Sequence, residues 1–367
     1  MQTPQIDSTP APAATAWPVR RGWMSALASI EPWSQLAALR FVLAAIVALN
    51  HLGEYVPLGV LDWVRRMGAF EAILGFLLVS GYSIGASYRR APEGFAWRRV
   101  RRVYPVYLVS LVLSGVVTHS VMQQAVPGPL ELLANVLLLN QLFTLTSFVG
   151  PAWSLALEFW LYLLTPWLVA AGSRGQRLLA IASFVAFLVY TALRTLLHWP
   201  YHAGVGFGAN LLLLSFIWIC GLKLVLADDK RQESMRDVRL IFAVHIVWAA
   251  AIQGAWRIKH QTAELFFSHD LPVLALQGLV LLLVQGLFAH GVLAARSDLR
   301  PWRSLQWLGD VSYPLFLLHI PVFMLLAQTP SRSPTVYLAT TLLLAALVLA
   351  LLNGLQRVMG LLKAHSV

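Results

Sequence analysis

The segment LAALRFVLAAIVALNHL, residues Leu36–Leu52, decides the fold class of this 367-residue chain. Apart from Arg40 and His51, all but one of its side chains are apolar. A helix rises about 1.5 Å per residue, so a segment of this length comes close to crossing the ~30 Å hydrocarbon core of a bilayer. We therefore predict a membrane-spanning helix that carries two ionisable groups.

Apolar runs of similar length recur along the rest of the chain. They are Phe70–Ser87, Val103–His119, Trp153–Ala170, Leu178–Leu197, Val205–Ala227, Leu240–Trp256, Val273–Leu293, Ser312–Leu326 and Val336–Leu352. The chain is 58% hydrophobic and 12% charged, with a mean hydropathy of +0.69, which excludes an ordinary water-soluble domain. The sequence predicts an all-α polytopic transmembrane helix bundle.

The segment Leu130–Phe148 is an eleventh candidate, but it contains Asn135, Asn140 and Gln141. If it does not cross, 20 of the 27 Lys and Arg residues lie on one side and 6 on the other, with Arg40 inside the first span. If it crosses, the division is 12 against 14. Because cytoplasmic loops carry the excess of basic residues, we predict ten spans, both termini in the cytoplasm, and a re-entrant or interfacial segment at Leu130–Phe148.

The domain organisation follows from the same patterns. Residues 1–33 are rich in Pro, Ala, Thr and Ser, which predicts a mobile cytoplasmic tail. Residues 34–358 form one membrane domain, and residues 359–367 a second cytoplasmic tail. The excess of Lys and Arg over Asp and Glu (27 against 16) lies in short patches between apolar runs, so contact with membrane lipids is expected and a nucleic-acid partner is not.

Arg40 and His51 are placed on one face of the first span. Eleven helical steps of about 100° return to within roughly 20° of the starting direction and separate the residues by about 16 Å. Ionisable groups inside a membrane span are costly, and each is a functional candidate. The alternatives are that Arg40 snorkels to the surface as an anchor and that His51 is an interfacial histidine.

A polar stripe marks the fourth span, where Ser154, Glu158 and Tyr162 repeat every four residues after Trp153. The predicted topology puts Glu158 in the outer half of the membrane, the half that also holds His51. A carboxylate that orients an imidazole makes it a better general base, so we predict that Glu158 pairs with His51. Alternatively, Ser154, Tyr162 or water satisfies Glu158.

A basic cluster lies between the second and third spans, on the predicted cytoplasmic side. Its members are Arg89, Arg90, Arg98, Arg99, Arg101 and Arg102. The planar guanidinium group suits phosphate oxygens, which indicates a phosphorylated cytoplasmic cosubstrate. The alternative is an orientation signal combined with contacts to anionic lipid.

The chain resembles the acyltransferase-3 family of bacterial multi-span acyltransferases from Trp33 to about Val358, through five motifs in the family's order. They are Arg40 with His51; the run Phe76–Tyr82; Arg98, Arg99, Arg102 and Pro105; Trp153 to Glu158; and Ser312, Tyr313, Phe316 and His319. Ser312 and His319, seven residues apart, share a helix face. Phe41 and Asn50 depart from the family pattern without removing a proposed functional group.

The resemblance implies an O-acyltransferase of the bacterial inner membrane, which moves an acyl group from cytoplasmic acyl-CoA, most often acetyl-CoA, to a sugar hydroxyl. The acceptor would be an exopolysaccharide, O-antigen or other lipid-linked or exported envelope glycan. His51 either deprotonates the hydroxyl or carries the acyl group itself. The alternative from another class is a glycolipid transporter or flippase that uses the Arg, His and Glu as a proton relay.

Site residues are assigned to three roles on this basis. The catalytic candidates are His51 and Glu158; the donor-binding candidates are Arg40, Arg98, Arg99 and Arg102; the substrate-contacting or supporting candidates are Trp153, Ser154, Tyr162, Ser312, Tyr313 and His319. No metal is predicted.

Overall fold

The computed structural model describes residues 32–125, 127–226, 231–293 and 306–364, which are mostly helical and contain no β-strand. The ten long helices are α1 (Pro32–Leu52), α2 (Ala69–Arg90), α3 (Phe95–Val116), α4 (Ala152–Ala170), α5 (Gly172–Leu197), α6 (Ala209–Leu226), α7 (Arg231–Lys259), α8 (Leu271–Leu293), α9 (Gln306–Leu326) and α10 (Pro334–Ala364).

Each predicted span overlaps one of these helices, although the sixth helix begins at Ala209 rather than at Val205. In the part of the chain that the structure describes, ten helices are long and apolar enough to cross a membrane. The all-α polytopic fold is thereby confirmed, whereas the cytoplasmic location of the termini stays a prediction. Residues 1–31 of the predicted N-terminal tail lie outside the described residues. At the other end, α10 continues to Ala364, through most of the predicted C-terminal tail.

The segment Leu130–Phe148 contains only a short helix, Pro129–Val136, followed by turns. Asn135 explains why the chain can be irregular here: its side-chain amide donates to the carbonyls of Glu131 and Thr146, and its Oδ1 accepts from a backbone N–H. Irregular backbone at membrane depth is tolerated only where protein or water satisfies it. The polar residues of this segment therefore hold a folded loop, in agreement with the prediction that it does not cross.

The helices form a central group and a peripheral group. Between 50% and 72% of the residues in the apolar stretches of α1, α2, α4, α6 and α9 are buried, against 22–28% for α5, α7, α8 and α10. The peripheral helices thus present most of their apolar side chains to lipid, and the polar residues of the central helices face the bundle interior.

Small residues bring the central helices close together. A Cβ atom on Gly81 would lie 2.0 Å from the carbonyl oxygen of Trp218, and one on Gly221 would lie 2.2 Å from a carbonyl of α2. On the other side of the bundle, a Cβ atom on Gly309 would lie 2.6 Å from that of Ala37. Glycine permits these backbone approaches, so α2 packs on α6 and α1 on α9 at close range.

Candidate functional site

A cavity of about 1220 Å³ lies among α1, α2, α3, α4, α9 and the C-terminal part of α10. Pro105 of α3 and Pro314 of α9 both line it, and each lacks the backbone N–H that would close a helical hydrogen bond, so the helix can bend there. Nine of the predicted site residues line the cavity: Arg40, Arg98, Arg99, Arg102, Ser154, Glu158, Tyr162, Ser312 and Tyr313.

One end of the cavity is basic and lies where α1, α3 and α9 begin. Arg99 donates from Nη2 to the hydroxyl of Ser87 at 2.9 Å and lies over the ring of Phe95, while its buried Nε has no partner. Arg102 is exposed and forms no hydrogen bond or ion pair with a described residue. Arg98 differs, since it donates to the carbonyls of Ala91 and Glu93 and so holds the loop between α2 and α3.

The deep end of the cavity is a hydrogen-bonded cluster around Glu158. The hydroxyl of Tyr162 donates to Oε1 of Glu158 at 2.5 Å, and Ser80 of α2 lies within hydrogen-bonding reach of both side chains. The indole N–H of Trp218 donates to Ser80 at 3.3 Å. Arg40 is within electrostatic reach of Glu158, and its buried Nε is without a partner. This end therefore offers a cation with an unused N–H donor, while the hydroxyl hydrogens of Tyr162 and Ser80 are already bonded within the cluster.

A pair of histidines lies beyond the cavity. The rings of His51 and His319 are 5.4 Å apart between centroids, and Nδ1 of His51 is 3.4 Å from Oε1 of Glu54. His319 is fully buried, and its Nδ1 must donate to the carbonyl of Leu315, since a carbonyl only accepts. In the described ranges no group of three or more His, Cys, Asp or Glu side chains is placed to hold a metal ion.

The expected direct pairing of Glu158 with His51 is wrong in this structure. Glu158 is bonded by Tyr162 of its own helix, and no hydrogen bond or ion pair to His51 occurs among the described residues. The carboxylate beside His51 is that of Glu54, three residues further along the chain. Residues three apart at a helix end are neighbours, and this spacing is the sequence signal that would have found Glu54.

A layer of phenylalanine separates the cavity from the histidines. Phe76 and Phe316 both line the cavity and pack edge to face at 5.5 Å. The ring of Phe316 is also 6.3 Å from that of His319. A molecule in the cavity is thus one aromatic side chain away from the histidine pair.

The remaining predicted residues have partners within the protein. Ser154 and Ser312 each donate to the carbonyl three residues earlier, at 3.0 and 2.7 Å. Tyr313 donates to a carbonyl of α3 at 2.9 Å and so ties α9 to the basic end of the cavity. Trp153 does not line the cavity but packs edge-on against Tyr201. Ser154, Ser312 and Tyr313 thus line the cavity with their hydroxyls bonded to the backbone, and Trp153 packs outside it.

The family model described as "Acyltransferase domain" (Acyl_transf_3) matches residues 33–353, which is nearly the whole chain and includes every predicted site residue. No curated protein and no solved structure matches significantly.

Proposed function

Since this chain belongs to the acyltransferase-3 family and is a multi-pass membrane acyltransferase, we propose that it moves an acyl group from cytoplasmic acyl-CoA to a sugar hydroxyl of an envelope glycan. Acetyl is the proposed acyl group, and an exopolysaccharide, O-antigen or other envelope glycan is the proposed acceptor. The proposed location of the protein is the bacterial inner membrane. The observation that carries the proposal is one cavity with arginines at its mouth and a histidine pair beyond its deep end.

The donor fits the cavity by size and by charge. The volume of the cavity, about 1220 Å³, exceeds the ~300–1,000 Å³ of ordinary small-molecule pockets. A nucleotide with a long pantetheine arm requires a cavity of this size. Arg99 and Arg102 have unused donors for the phosphates. Arg98 contributes by holding the loop beside them. The arm would then extend toward Arg40 and Tyr162, which line the same cavity.

His51 is the proposed base. If its Nδ1–H faces the carboxylate of Glu54, its Nε2 carries the lone pair. Nε2 takes the proton of the sugar hydroxyl, the oxygen forms a bond to the thioester carbon, the C–S bond breaks, and the thiolate takes the proton back from His51. In the other route Nε2 attacks the thioester carbon, and the C–S bond breaks to release the thiolate. The sugar oxygen then attacks the acyl carbon, the C–N bond to His51 breaks, and the hydroxyl proton goes to the thiolate. Glu54 is the proposed positioning residue for both routes.

Glu158 is assigned a positioning role in this proposal. Its carboxylate holds the hydroxyl of Tyr162 and lies near Arg40, at the depth that the thioester would reach. The guanidinium of Arg40, whose Nε–H has no partner, can stabilise charge that develops there on the thioester oxygen. The side chain of Phe316 has to rotate for the thioester to reach His51, since it fills the gap next to His319.

The test is mass analysis of envelope and exported glycans from cells with the gene, without it, and with His51→Ala in its place. The proposal expects an ester that is present only with the wild-type gene, and its mass identifies the acyl group. A transporter would change the amount of exported glycan and leave its ester content unchanged. An ester content that does not depend on the gene would overturn the proposal.

A further inference from the structure

A second cavity, of about 320 Å³, lies between the C-terminal ends of α5 and α7. Its lining consists of Arg194, Thr195, His198, Gln253, Trp256 and Arg257. Because consecutive spans alternate in direction, α5 and α7 end on the same face as α1, the face that holds His51. We propose that this cavity binds an acidic sugar of the acceptor glycan, an inference that rests on the proposed function and narrows its substrate class.

Arg257 is held in place before any ligand arrives. Its Nε and Nη2 donate to the two carboxylate oxygens of Asp270 at 2.6 and 2.9 Å. Asp270 is buried and is bonded also by Gln253 and by His269. This two-point pair fixes the plane of the guanidinium and leaves Nη1 free for a ligand. A binding group supported in this way loses little conformational entropy when the ligand binds.

Arg194 supplies a positive charge that no neighbour neutralises. Its guanidinium lies 4.9 Å from the ring centroid of Tyr201 and forms no ion pair with a described carboxylate. Burial raises the pKa of Tyr201 to about 12, so its phenol is neutral at physiological pH. With Asp270 balancing only Arg257, the cavity keeps one net positive charge, which favours a carboxylate or another oxyanion.

The other lining groups favour a sugar over a bare anion. Trp256 is half-buried; its ring packs against His260 at 4.4 Å and has the guanidinium of Arg257 5.2 Å from its centroid, so it helps to hold Arg257 at the cavity. Thr195 offers a hydroxyl and Gln253 a side-chain carbonyl to sugar hydroxyls. A lipid headgroup phosphate would need the charge alone. The lining therefore combines a positive charge for the carboxylate of an acidic saccharide with hydrogen-bonding groups for its hydroxyls.

The position of the cavity indicates whether it would bind the acylated sugar or another sugar of the same glycan. The helix α7 packs on α8, and α8 packs on α1. With α8 between them, α7 and α1 are separated by more than one interhelical distance of about 8–10 Å and by at most roughly 20 Å. One sugar ring cannot bridge that separation, so the bound acidic sugar is not the one acylated. The acceptor is accordingly an oligosaccharide or polysaccharide with acidic residues.

The experiment measures saccharide binding without acyl-CoA, using the full chain in nanodiscs of neutral phosphatidylcholine. The probes are a galacturonic acid tetrasaccharide and its carboxyl-reduced counterpart, and the proteins are wild type, Arg194→Gln, Arg194→Lys and Arg174→Gln. A charge-assisted hydrogen bond of about 1.5–3 kcal/mol corresponds to a loss of affinity of about tenfold or more in Arg194→Gln. Arg194→Lys should recover part of it, and Arg174→Gln, an exposed arginine at the opposite end of α5, should bind as wild type does.

Equal binding of the two saccharides, no binding of either, or an unchanged affinity in Arg194→Gln would overturn the inference. So would displacement of the acidic saccharide when phosphatidylglycerol replaces part of the neutral lipid, because the bound anion would then be a lipid headgroup. Binding of acetyl-CoA measured on the same nanodiscs keeps the two proposals apart: failure of the saccharide preference with intact donor binding rejects the acidic-sugar site alone.

Discussion

The arginine end of the large cavity and the histidine pair beyond it differ in size, charge and access. The arginine end is wide and basic, and the side chains of Arg99 and Arg102 have unused donors there. The histidine pair is compact: His51 is 30% exposed and contacts Glu54 and His319, behind the ring of Phe316. A donor with phosphates at one end and a thioester at the other would match this division, and the proposed function therefore assigns donor binding and acyl transfer to different depths of the bundle.

The largest expected effect follows from removing His51. In His51→Ala, acyl transfer should fall by about 10²–10⁴-fold or more, since both proposed routes need its Nε2. Acetyl-CoA affinity should remain nearly unchanged, because His51 does not line the cavity. The measurements are label transfer from acetyl-CoA to the glycan and binding of a non-hydrolysable acetyl-CoA analogue to the purified protein. Near-normal transfer in a variant that accumulates in the membrane would remove His51 from the chemistry.

Variants at the arginine end are expected to show the opposite result to His51→Ala, namely a weakened affinity for the donor. Arg99→Ala and Arg102→Ala should each weaken binding of the analogue by roughly one to two powers of ten, since charge-assisted bonds contribute about 1.5–3 kcal/mol. Lysine at either position should restore only part of the affinity, because it lacks the planar two-point contact. Arg174→Ala is the matched control, an exposed arginine outside the cavity. If both Arg variants bind as tightly as wild type, the cluster is an orientation and lipid-contact signal.

A smaller effect is expected for Glu54, which is 63% exposed and 3.4 Å from His51. In Glu54→Gln the maximal transfer rate should fall roughly tenfold, because an amide cannot stabilise the imidazolium as a carboxylate does. The affinity for acetyl-CoA should be unchanged. Steady-state kinetics in nanodiscs separate the two quantities, with Glu264→Gln as a control at another exposed carboxylate. A rise in donor KM without a change in maximal rate would place Glu54 outside the transfer step.

Much of the fold follows from the sequence, because the length of an apolar run and the sign of its flanking charges act locally. The ten helices, and the failure of Leu130–Phe148 to form an eleventh, both follow from these signals. Helical spacing also predicts that Arg40 and His51 share a face. In the structure Arg40 lines the cavity and His51 packs against His319 of α9.

The contacts between helices were not predictable in the same way. The partner of Glu158 depends on how α4 is rotated against α2, which brings Ser80 rather than His51 to the carboxylate. Likewise, the arginines of the basic cluster look equivalent in the sequence. Only the path of the loop after α2 turns Arg98 toward backbone carbonyls while Arg102 stays free of such contacts. Helix rotation and loop path are set by packing across the whole bundle.

The most direct test of the division between donor binding and transfer uses sealed, inverted inner-membrane vesicles, whose cytoplasmic face is outward. Labelled acetyl-CoA, which does not cross the membrane, is added outside, and envelope polysaccharide from a strain lacking the gene is either enclosed in the lumen or added outside. We expect label on the enclosed polysaccharide only, with none in His51→Ala vesicles. Label confined to the polysaccharide outside would contradict this expectation, because donor and acceptor would then meet on one side of the membrane.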